Sequence, residues 1–368
     1  YASDQHVGAW FAQVVVSRQC NAKLVGIDAT EALRMPGVKD FVGSAAIPKG
    51  GANYWTGDFA MIPGSDMDKE KIFWEVNDTI PYVGAQLGVV VAETWAQAHE
   101  AAKAVKQAYV SLGPPVTTTV DAQRRGMTAT RNQVEQVKKS GHLAKLLRGS
   151  PGVQRDRPPA MVRASSSLSA QSTLKTGEQV HFQLETKSVC AVPCDGDCME
   201  IFVSGQCRDL EQSAVCLALG VPRSQVNVVN TRVGGAFGGK ILCQLATCCA
   251  VAVAARKLKR PVRLQNERRN DMQMTGLRNS MDFDYDISFD ADGKLDACDV
   301  KVVVDAGWIP GIGPLFLNSV EEEGDAVFKF PGGLKTSGQV LITNKAAISA
   351  MRAPATMQTS IFTSAALE

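Results

Sequence analysis

The chain has 368 residues, 45% hydrophobic and 21% charged, which is typical of a soluble globular protein with two or three domains. Its formal net charge of +2 provides no global field that would select nucleic acid, so we expect no nucleic-acid ligand. The longest nearly apolar run, residues 243–255, is too short to cross a bilayer, so we expect no membrane span.

The ten cysteines cluster in the middle of the chain, several of them in apolar helical patterns. This distribution favours reduced, buried thiols and therefore a reducing compartment, for which we expect the cytoplasm. Cys190, Cys194 and Cys198 are spaced by four. Their pairs follow CxxxC instead of the usual CxxC, and the residues between them are typical of a strand end and a turn, so a metal site is disfavoured.

The N-terminal region alternates between strand and helix patterns, which predicts a compact α/β domain over residues 1–120. The helix predicted over 93–107 has one small apolar face, formed by Ala98, Ala101, Ala102 and Val105. Strands are predicted at 11–17, 22–27, 38–42, 87–92 and 108–112, and a short helix at 30–35.

Residues 121–178 carry basic residues, a Pro158-Pro159 pair and a run of serines at 165–167. We interpret this stretch as a solvated linker. A nucleic-acid role would require interleaved aromatic residues, and the stretch contains none.

The character of the chain changes after residue 179, and a second domain is predicted over 179–368. The turn Asp290–Gly293 separates two alternating runs and indicates a hairpin. Strands are predicted at 180–192, 199–204, 225–233, 261–264, 281–289 and 295–305, extended segments at 340–344 and 347–350, helices at 210–219, 241–260 and from about 359, and a loop at 306–336.

A glycine turn, residues 234–240 (GGAFGGK), lies between a predicted strand and a predicted helix. Glycines at this position let the backbone approach a ligand closely, so an anionic or pterin-like ligand at the helix N-terminus is one hypothesis, and a tight structural turn is the other. The turn fits GxxxxGK, but a phosphate-binding loop requires Ser or Thr next, and this chain has Ile241. The pattern GxGxxG fails at Ala236, so nucleotide binding is disfavoured.

Four motifs occur in order along the second region. They are QxHxxxE at 179–185, Ser-Gly-Gln at 204–206, the glycine turn at 234–240 and Met-Arg-Ala-Pro at 351–354. Together they resemble the molybdenum-binding large subunit of the xanthine dehydrogenase and aldehyde oxidase family. Residues 22–32 and 83–94 are similar to the a/b hammerhead domain of that family.

The resemblance implies an α+β (mixed α/β) fold in three parts. An a/b hammerhead-like domain covers 1–120, a linker covers 121–178, and the first molybdenum-cofactor-binding domain covers 179–368. In the family a second molybdenum-binding half follows the Arg352 motif, so we expect the domain to be incomplete at its C-terminal end.

The resemblance assigns cofactor-binding roles to five residues and direct metal ligation to none. In the family, Phe237 and Gly238, with Gly235 in the same turn, lie beside the oxo and sulfido ligands of molybdenum with backbone amides facing them. Gln206 matches a glutamine that hydrogen-bonds a molybdenum ligand. Arg352 matches an arginine whose neighbouring backbone contacts the pterin.

The QxHxxxE motif is expected to support the fold rather than the chemistry. In a strand with a period of two residues, Gln179, His181 and Glu185 share one face, and a buried His–Glu pair would form a structural lock.

The implied reaction is oxidation of an aldehyde or aromatic heterocycle by attack of a metal-bound hydroxide. Purine-oxidising members carry Glu where this chain has Ile241, and an Arg in the segment that aligns with 319–326, which contains none here. A purine substrate is therefore disfavoured. The general-base glutamate belongs to the second half, so no catalytic residue is expected in this chain.

The partners implied by the resemblance are the segment or chain with the second molybdenum-binding half, domains or subunits with 2Fe-2S and FAD, and an oligomeric assembly. We expect the chain alone to be inactive. The alternative is a truncated, non-catalytic paralogue that serves as a structural subunit. This alternative is favoured by an acidic segment at 321–325 and by Pro354-Ala355-Thr356, where the family commonly has more glycine.

Overall fold

The computed structural model describes residues 6, 8–56, 69–129, 168–325 and 327–368. The predicted mixed α+β class is confirmed. The described strands are β1 (Trp10–Val16), β2 (Ala22–Asp28), β3 (Val38–Val42), β4 (Tyr54–Thr56), β5 (Lys69–Lys71), β6 (Thr79–Ile80), β7 (Gln86–Ala92), β8 (Lys106–Ser111), β9 (Leu168–Thr176), β10 (Ser188–Pro193), β11 (Met199–Val203), β12 (Val226–Val229), β13 (Val262–Gln265), β14 (Met281–Phe289), β15 (Leu295–Asp305) and β16 (Gly333–Leu341). The described helices are α1 (Thr30–Arg34), α2 (Trp95–Ala104), α3 (Thr119–Arg124), α4 (Arg208–Leu219), α5 (Leu245–Leu258), α6 (Arg268–Met274), α7 (Gly313–Glu323) and α8 (Thr356–Leu367).

A seven-stranded sheet in the order β12-β11-β10-β13-β1-β7-β3 forms the centre of the described structure. Strand β1 pairs in parallel with β13 and antiparallel with β7, and this joins the N-terminal strands to the later ones. The sheet therefore draws strands from both sides of the predicted linker. Strand β7, between β1 and the edge strand β3, is buried along its whole length, as expected for a strand covered on both faces.

Helix α5 packs against this sheet beside α4 and carries the largest apolar core. Ten of its residues are buried, because its sequence is apolar or small on nearly every side. Small side chains such as Ala250, Ala252 and Ala254 let the helix approach the sheet closely. The glycine turn lies in the connection between β12 and α5. Both elements belong to this core, so the core fixes the position of the turn.

A second core lies between α7, α8 and the four-stranded sheet β16-β15-β14-β9. Phe362 of α8 stacks on Phe283 of β14 with ring centroids 4.9 Å apart. A third core joins α2 to the three-stranded sheet β6-β2-β8 and to the inner face of the central sheet. The segment between β16 and α8 crosses from the second core to the glycine turn, which brings residues 349–352 to the candidate site.

The structure differs from the predicted elements in several places, and the largest differences follow. Strand β10 begins only at Ser188, so the strand predicted from residue 180 is wrong over its first half. Helix α7 lies in the predicted loop 306–336, because its Gly-Pro start (Gly313, Pro314) has the local appearance of a turn, while Pro is well tolerated in the first helical turn. Helix α6 was not predicted, and β9, within the predicted linker 121–178, pairs along its whole length with β14.

Candidate functional site

The glycine turn does not open a helix directly, which corrects one of the two hypotheses for it. Strand β12 ends at Val229 and α5 begins at Leu245, so turns occupy residues 241–244 between the motif and the helix. Leu245 and the N-cap residue Gln244 are both fully buried. The free amides at the start of α5 are therefore covered, and the helix N-terminus offers no ligand site.

The backbone of the turn takes conformations that favour glycine. Gly235 and Gly238 have φ angles of +92° and +104°, and Phe237 between them has a φ of +55°. A Cβ atom at Gly238 would lie 1.8 Å from the carbonyl oxygen of Ala350. Glycine at position 238 is thus required both by its φ angle and by the close approach of the segment 349–352.

Gln206 holds the turn through its side-chain oxygen. Its Oε1 atom accepts hydrogen bonds from the backbone N–H of Gly238 at 2.9 Å and of Lys240 at 3.2 Å. Its own backbone N–H donates to the Lys240 carbonyl oxygen at 3.1 Å. Because Oε1 accepts both bonds, the Nε2 amide is left as an exposed donor with no hydrogen-bond partner in the described part of the chain.

A buried ion pair between Lys240 and Glu185 lies beneath the glycine turn. The Nζ atom of Lys240 lies 3.2 Å from Oε2 of Glu185 and donates to the hydroxyl of Ser204 at 2.7 Å. The same Oε2 accepts the backbone N–H of Gly234 at 2.7 Å and the Ser204 hydroxyl. Burial lowers the pKa of Lys240, and the facing carboxylate of Glu185 partly offsets this. Loss of either charge would cost about 3–5 kcal/mol of stability.

His181 supports the turn from the adjacent side. Its ring lies against Gly239, where a Cβ atom would be 2.9 Å from the imidazole Cγ. Burial lowers the pKa of His181, so the neutral ring donates from Nε2 to the Ala350 carbonyl oxygen at 3.0 Å. His181 and Glu185 therefore both have structural roles, as predicted, but each contacts its own part of the turn instead of forming a His–Glu pair.

Arg352 approaches the turn through its backbone. Its N–H donates to the Phe237 carbonyl oxygen at 3.0 Å, while its side chain is exposed. Arg278 holds the segment from the other side and donates to the carbonyl oxygens of Arg352 at 2.7 Å and Ala353 at 3.1 Å. The Nε atom of Arg278 donates to Gln179 Oε1 at 2.7 Å, which places Gln179 at the edge of the site rather than on the buried face predicted for it.

A second buried ion pair anchors the segment that carries His181 and Glu185. Lys187 Nζ lies 3.3 Å from Asp271 Oδ1, and both side chains are almost completely buried. The other Asp271 oxygen accepts the Gln183 amide at 2.8 Å. This pair connects the irregular segment before β10 to α6.

The outer face of the site combines apolar side chains with unpaired donors. Phe237 is 48% exposed and Leu184 is 91% exposed, with Phe182 exposed beside them and Arg268 4.9 Å above the Phe182 ring. In the described part of the chain, the amides of Gly235 and Phe237 have no partner, whereas the Gly238 amide is bound by Gln206. The predicted contact of the Gly238 amide with a ligand stays a prediction, and it would compete with the hydrogen bond to Gln206.

The donors that remain fit a molybdenum cofactor with oxo and pterin groups. The exposed Gln206 Nε2 and the Phe237 N–H are neutral donors, and the exposed guanidinium of Arg352 adds a positive charge. In the described ranges, no cluster of three His, Cys, Asp or Glu side chains is arranged to hold a metal ion directly.

Four supporting residues were not singled out from the sequence, namely Ser204, Lys240, Asp271 and Arg278. Lys240 and Ser204 lie within the motifs. A lysine in one motif and Glu185 in another could have indicated the ion pair between them. Asp271 and Arg278 lie outside every motif, and their partners are 84 and 74 positions away in the chain, so no local pattern indicates them.

Two family models match the chain. A "Molybdopterin cofactor-binding domain" matches residues 152–368, which is more than half of the chain, and an "Aldehyde oxidase and xanthine dehydrogenase, a/b hammerhead domain" matches residues 1–113. The chain belongs to the aldehyde oxidase and xanthine dehydrogenase family. The predicted family and the predicted a/b hammerhead and molybdopterin-binding content are confirmed.

Curated members of this family extend well beyond the matched region. The chain is 32% identical to an indole-3-acetaldehyde oxidase of Zea mays over 97% of its own length, and that match covers 25% of the relative. It is 32% identical to aldehyde oxidase 3 of Mus musculus, covering 94% of this chain and 23% of the relative. The chain thus spans about a quarter of the length of these relatives.

Solved structures share the fold. The aldehyde oxidoreductase of Desulfovibrio gigas has a TM-score of 0.76 at 23% identity, covering 98% of this chain and 38% of that one. The aldehyde oxidoreductase of Desulfovibrio desulfuricans has a TM-score of 0.78 at 20% identity, covering 98% of this chain and 39% of that one.

No helix among the described residues has the length and hydropathy needed to cross a membrane.

Proposed function

We propose that this chain forms one wall of the molybdenum-cofactor site of a hydroxylase that oxidises an aldehyde or an aromatic heterocycle. The observation that carries the proposal is the geometry of Gln206, whose Oε1 fixes the glycine turn and whose Nε2 remains an exposed donor beside Phe237. When bound, the cofactor supplies the oxidation chemistry. Gln206 and the Phe237 amide orient it, and the backbone near Arg352 contacts its pterin.

The substrate proposal rests on Ile241, which follows the turn, and on the segment 319–326, which aligns with the arginine segment of the purine-oxidising members. Ile241 is partly buried and packs against the main apolar core, so it presents no carboxylate to a purine ring. Helix α7 ends in Glu321, Glu322 and Glu323, and acidic side chains cannot provide the planar, bidentate donor of an arginine. An aldehyde substrate also agrees with the printed names of the relatives in maize and mouse.

The catalytic base and the rest of the pterin pocket belong to a partner segment or chain in this proposal. The exposed apolar side chains of Phe182, Leu184 and Phe237 form the surface on which that second molybdenum-binding half packs. Iron–sulfur and flavin groups belong to further domains or subunits of an oligomeric assembly, since the relatives are about four times as long as the matched region.

The free cysteines favour a reducing compartment, for which we propose the cytoplasm.

The test compares Gln206→Ala with Gln212→Ala in the native assembly. Gln212 lies on α4, six residues after Gln206, and donates to the carbonyl oxygens of Arg223 and Val226 rather than to the glycine turn, so it is a matched control. We expect Gln206→Ala to lose most of its bound molybdopterin, measured as released pterin per chain, and most of its aldehyde oxidation, while Gln212→Ala retains both. Equal pterin content in the two variants would contradict the proposed role of Gln206.

A second candidate function, a non-catalytic structural subunit, is favoured by the backbone next to Arg352. Ala353 and Ala355 have φ angles of +56° and +62°, which strain any residue with a Cβ atom, and Ala355 lies in Pro354-Ala355-Thr356, where the family commonly has more glycine. Substitutions of this kind are typical of a segment in which close contact with a ligand is no longer required. An intact assembly that contains no molybdenum would favour this second function.

A further inference from the structure

The tip of the β10–β11 hairpin brings two cysteines opposite each other. Pro193 and Met199 are the last paired residues of the antiparallel ladder, and Cys194 and Cys198 follow them on each strand. The backbone N–H of Cys194 donates to the Cys198 carbonyl oxygen at 2.9 Å. The intervening residues 195–197 close the loop through Gly196 in the left-handed conformation, with a φ of +64°. The two thiols thus belong to one cross-strand pair.

The backbone geometry of this pair permits a disulfide. The N–H of Cys194 donates to the Cys198 carbonyl oxygen, which keeps the two backbones adjacent just beyond the ladder. Directly opposed antiparallel residues have Cα atoms about 4.5–5.5 Å apart, and disulfides span Cα separations of about 4.4–6.8 Å. The Sγ hydrogen bonds are long, from Cys194 to the Val192 oxygen at 3.5 Å and from Cys198 to the Gly196 oxygen at 3.9 Å, and the Cys194 thiol also interacts with the Glu200 backbone. Rotation of both side chains toward each other therefore breaks no strong bond.

Exposure distinguishes this pair from most other thiols of the chain. Cys194 is exposed and Cys198 is partly exposed, so a small oxidant reaches both, whereas five other cysteines are buried in the apolar cores. We propose that Cys194 and Cys198 form a redox-sensitive dithiol that closes into an intrachain disulfide when the protein meets a disulfide oxidant such as oxidised glutathione. The proposal does not depend on cofactor binding.

The reaction balances as two successive thiol–disulfide exchanges. The Cys194 thiol loses its proton, and its sulfur attacks one sulfur of oxidised glutathione, which forms a mixed disulfide and releases one reduced glutathione. The Cys198 sulfur, after losing its proton, attacks the Cys194 sulfur of the mixed disulfide and releases the second glutathione. The two cysteines are oxidised by two electrons, and one glutathione disulfide is reduced to two thiols.

The charges around the tip make the first exchange slow at neutral pH. Partial burial, with Glu200 of β11 and the neighbouring Cys198, raises the pKa of the Cys194 thiol. Asp195 acts in the same direction, and Asp197 is paired with Arg256 of α5 at 2.9 Å. Because only the thiolate attacks, we expect the dithiol to persist at neutral pH and to close faster as the pH rises to about 9.

The test treats the full chain with oxidised glutathione at pH 9, blocks free thiols with N-ethylmaleimide, and cleaves before aspartates. Cleavage at Asp195 and Asp197 separates Cys194 from Cys198 unless a disulfide joins them. We expect a linked peptide pair with neither cysteine alkylated, release of two glutathiones per chain, and a closure rate at least tenfold lower at pH 7. The buried-thiol variant Cys190→Ser should retain the linked pair.

The variant Cys198→Ser should stop at a mixed disulfide between Cys194 and glutathione, because the second exchange has lost its nucleophile. The proposal is overturned if both cysteines of the wild-type chain remain fully alkylated after treatment. It is also overturned if the wild-type chain accumulates the mixed disulfide at Cys194 to the same extent as Cys198→Ser does.

Discussion

The carboxyl group of Glu211 is a buried acid directly behind the segment that carries Gln206. Its Oε1 atom lies 1.5 Å from where a Cβ atom of Gly205 would be, and neither oxygen has a hydrogen-bond partner in the described part of the chain. Burial raises the pKa of Glu211 to about 8, and Arg208 lowers it only slightly. Glu211 is therefore mostly protonated at neutral pH, and its neutral form suits this apolar position between α4 and α5.

The burial of Glu211 makes the free energy of unfolding depend on pH. The substitution Glu211→Gln should remove the part of that dependence that comes from this carboxyl group. The folded-state pKa of about 8 lies above the ordinary value of 4.5, so the folded state binds more protons between these pH values. The free energy of unfolding should therefore fall as the pH rises from about 4.5 to 8, and then level off. The advantage of Glu211→Gln over wild type should grow across that window to a few kcal/mol, measured by urea unfolding from pH 5 to pH 9.

The control is Glu200→Gln, which removes a partly exposed carboxylate on β11. It should follow the wild-type pH dependence, because its carboxylate lies at the surface and accepts a hydrogen bond from the exposed amide of Asn227. Parallel pH profiles for wild type and Glu211→Gln would contradict a buried, protonated Glu211.

The glycine turn is an element whose position depends on one close backbone contact. A side chain at Gly238 would meet the Ala350 carbonyl oxygen and would also be strained by the φ angle of +104°. We expect Gly238→Ala to lower the free energy of unfolding by about 3 kcal/mol or more, since both effects add. Chemical denaturation of the purified variant measures this loss.

Gly177→Ala is the matched control, because a Cβ atom there meets no other atom within 4 Å. Its stability should change by less than about 1 kcal/mol. If Gly238→Ala were as stable as this control, the turn would not be packed against residues 349–352 as the structure shows.

Local patterns predicted elements well where the local signal and the tertiary environment agree. The alternating runs around Asp290–Gly293 predicted β14 and β15 at their observed bounds, because one face of each strand is buried along most of its length. Residues 180–184 also alternate between buried and exposed, yet they form no strand. Their backbone is held by side-chain contacts of His181, Gln183 and Glu185 with distant segments instead of by a ladder.

The motif residues of the candidate site come together in the structure, but most of the contacts between them could not be predicted from the sequence. The motifs brought together Gln206, the glycine turn and Arg352, and the structure places all of them in contact through the bonds of Gln206 and the Phe237 carbonyl. The engagement of the Gly238 amide and the role of Arg278 depend on segments far apart in the chain. Such contacts produce no periodic pattern in the sequence, because they depend on how the sheets and their loops pack together in three dimensions.

The described part of the molecule has buried apolar cores and exposed apolar side chains at the candidate site. The described cores are buried, whereas Phe182, Leu184 and Phe237 are exposed on the segments that form the candidate site. Exposed apolar surface next to unpaired donors is typical of a site that another segment completes. For this reason we expect residues 1–368 alone to oxidise no aldehyde, even if the partner-containing assembly does.

The most direct measurement is the molybdenum content of the intact native assembly, with mass spectrometry to identify every chain that co-purifies. The proposed function predicts about one molybdenum atom for each copy of this chain, together with a segment or chain that carries the second half of the site. An assembly that contains this chain and such a partner but no molybdenum would contradict it, and would leave the chain with a structural role.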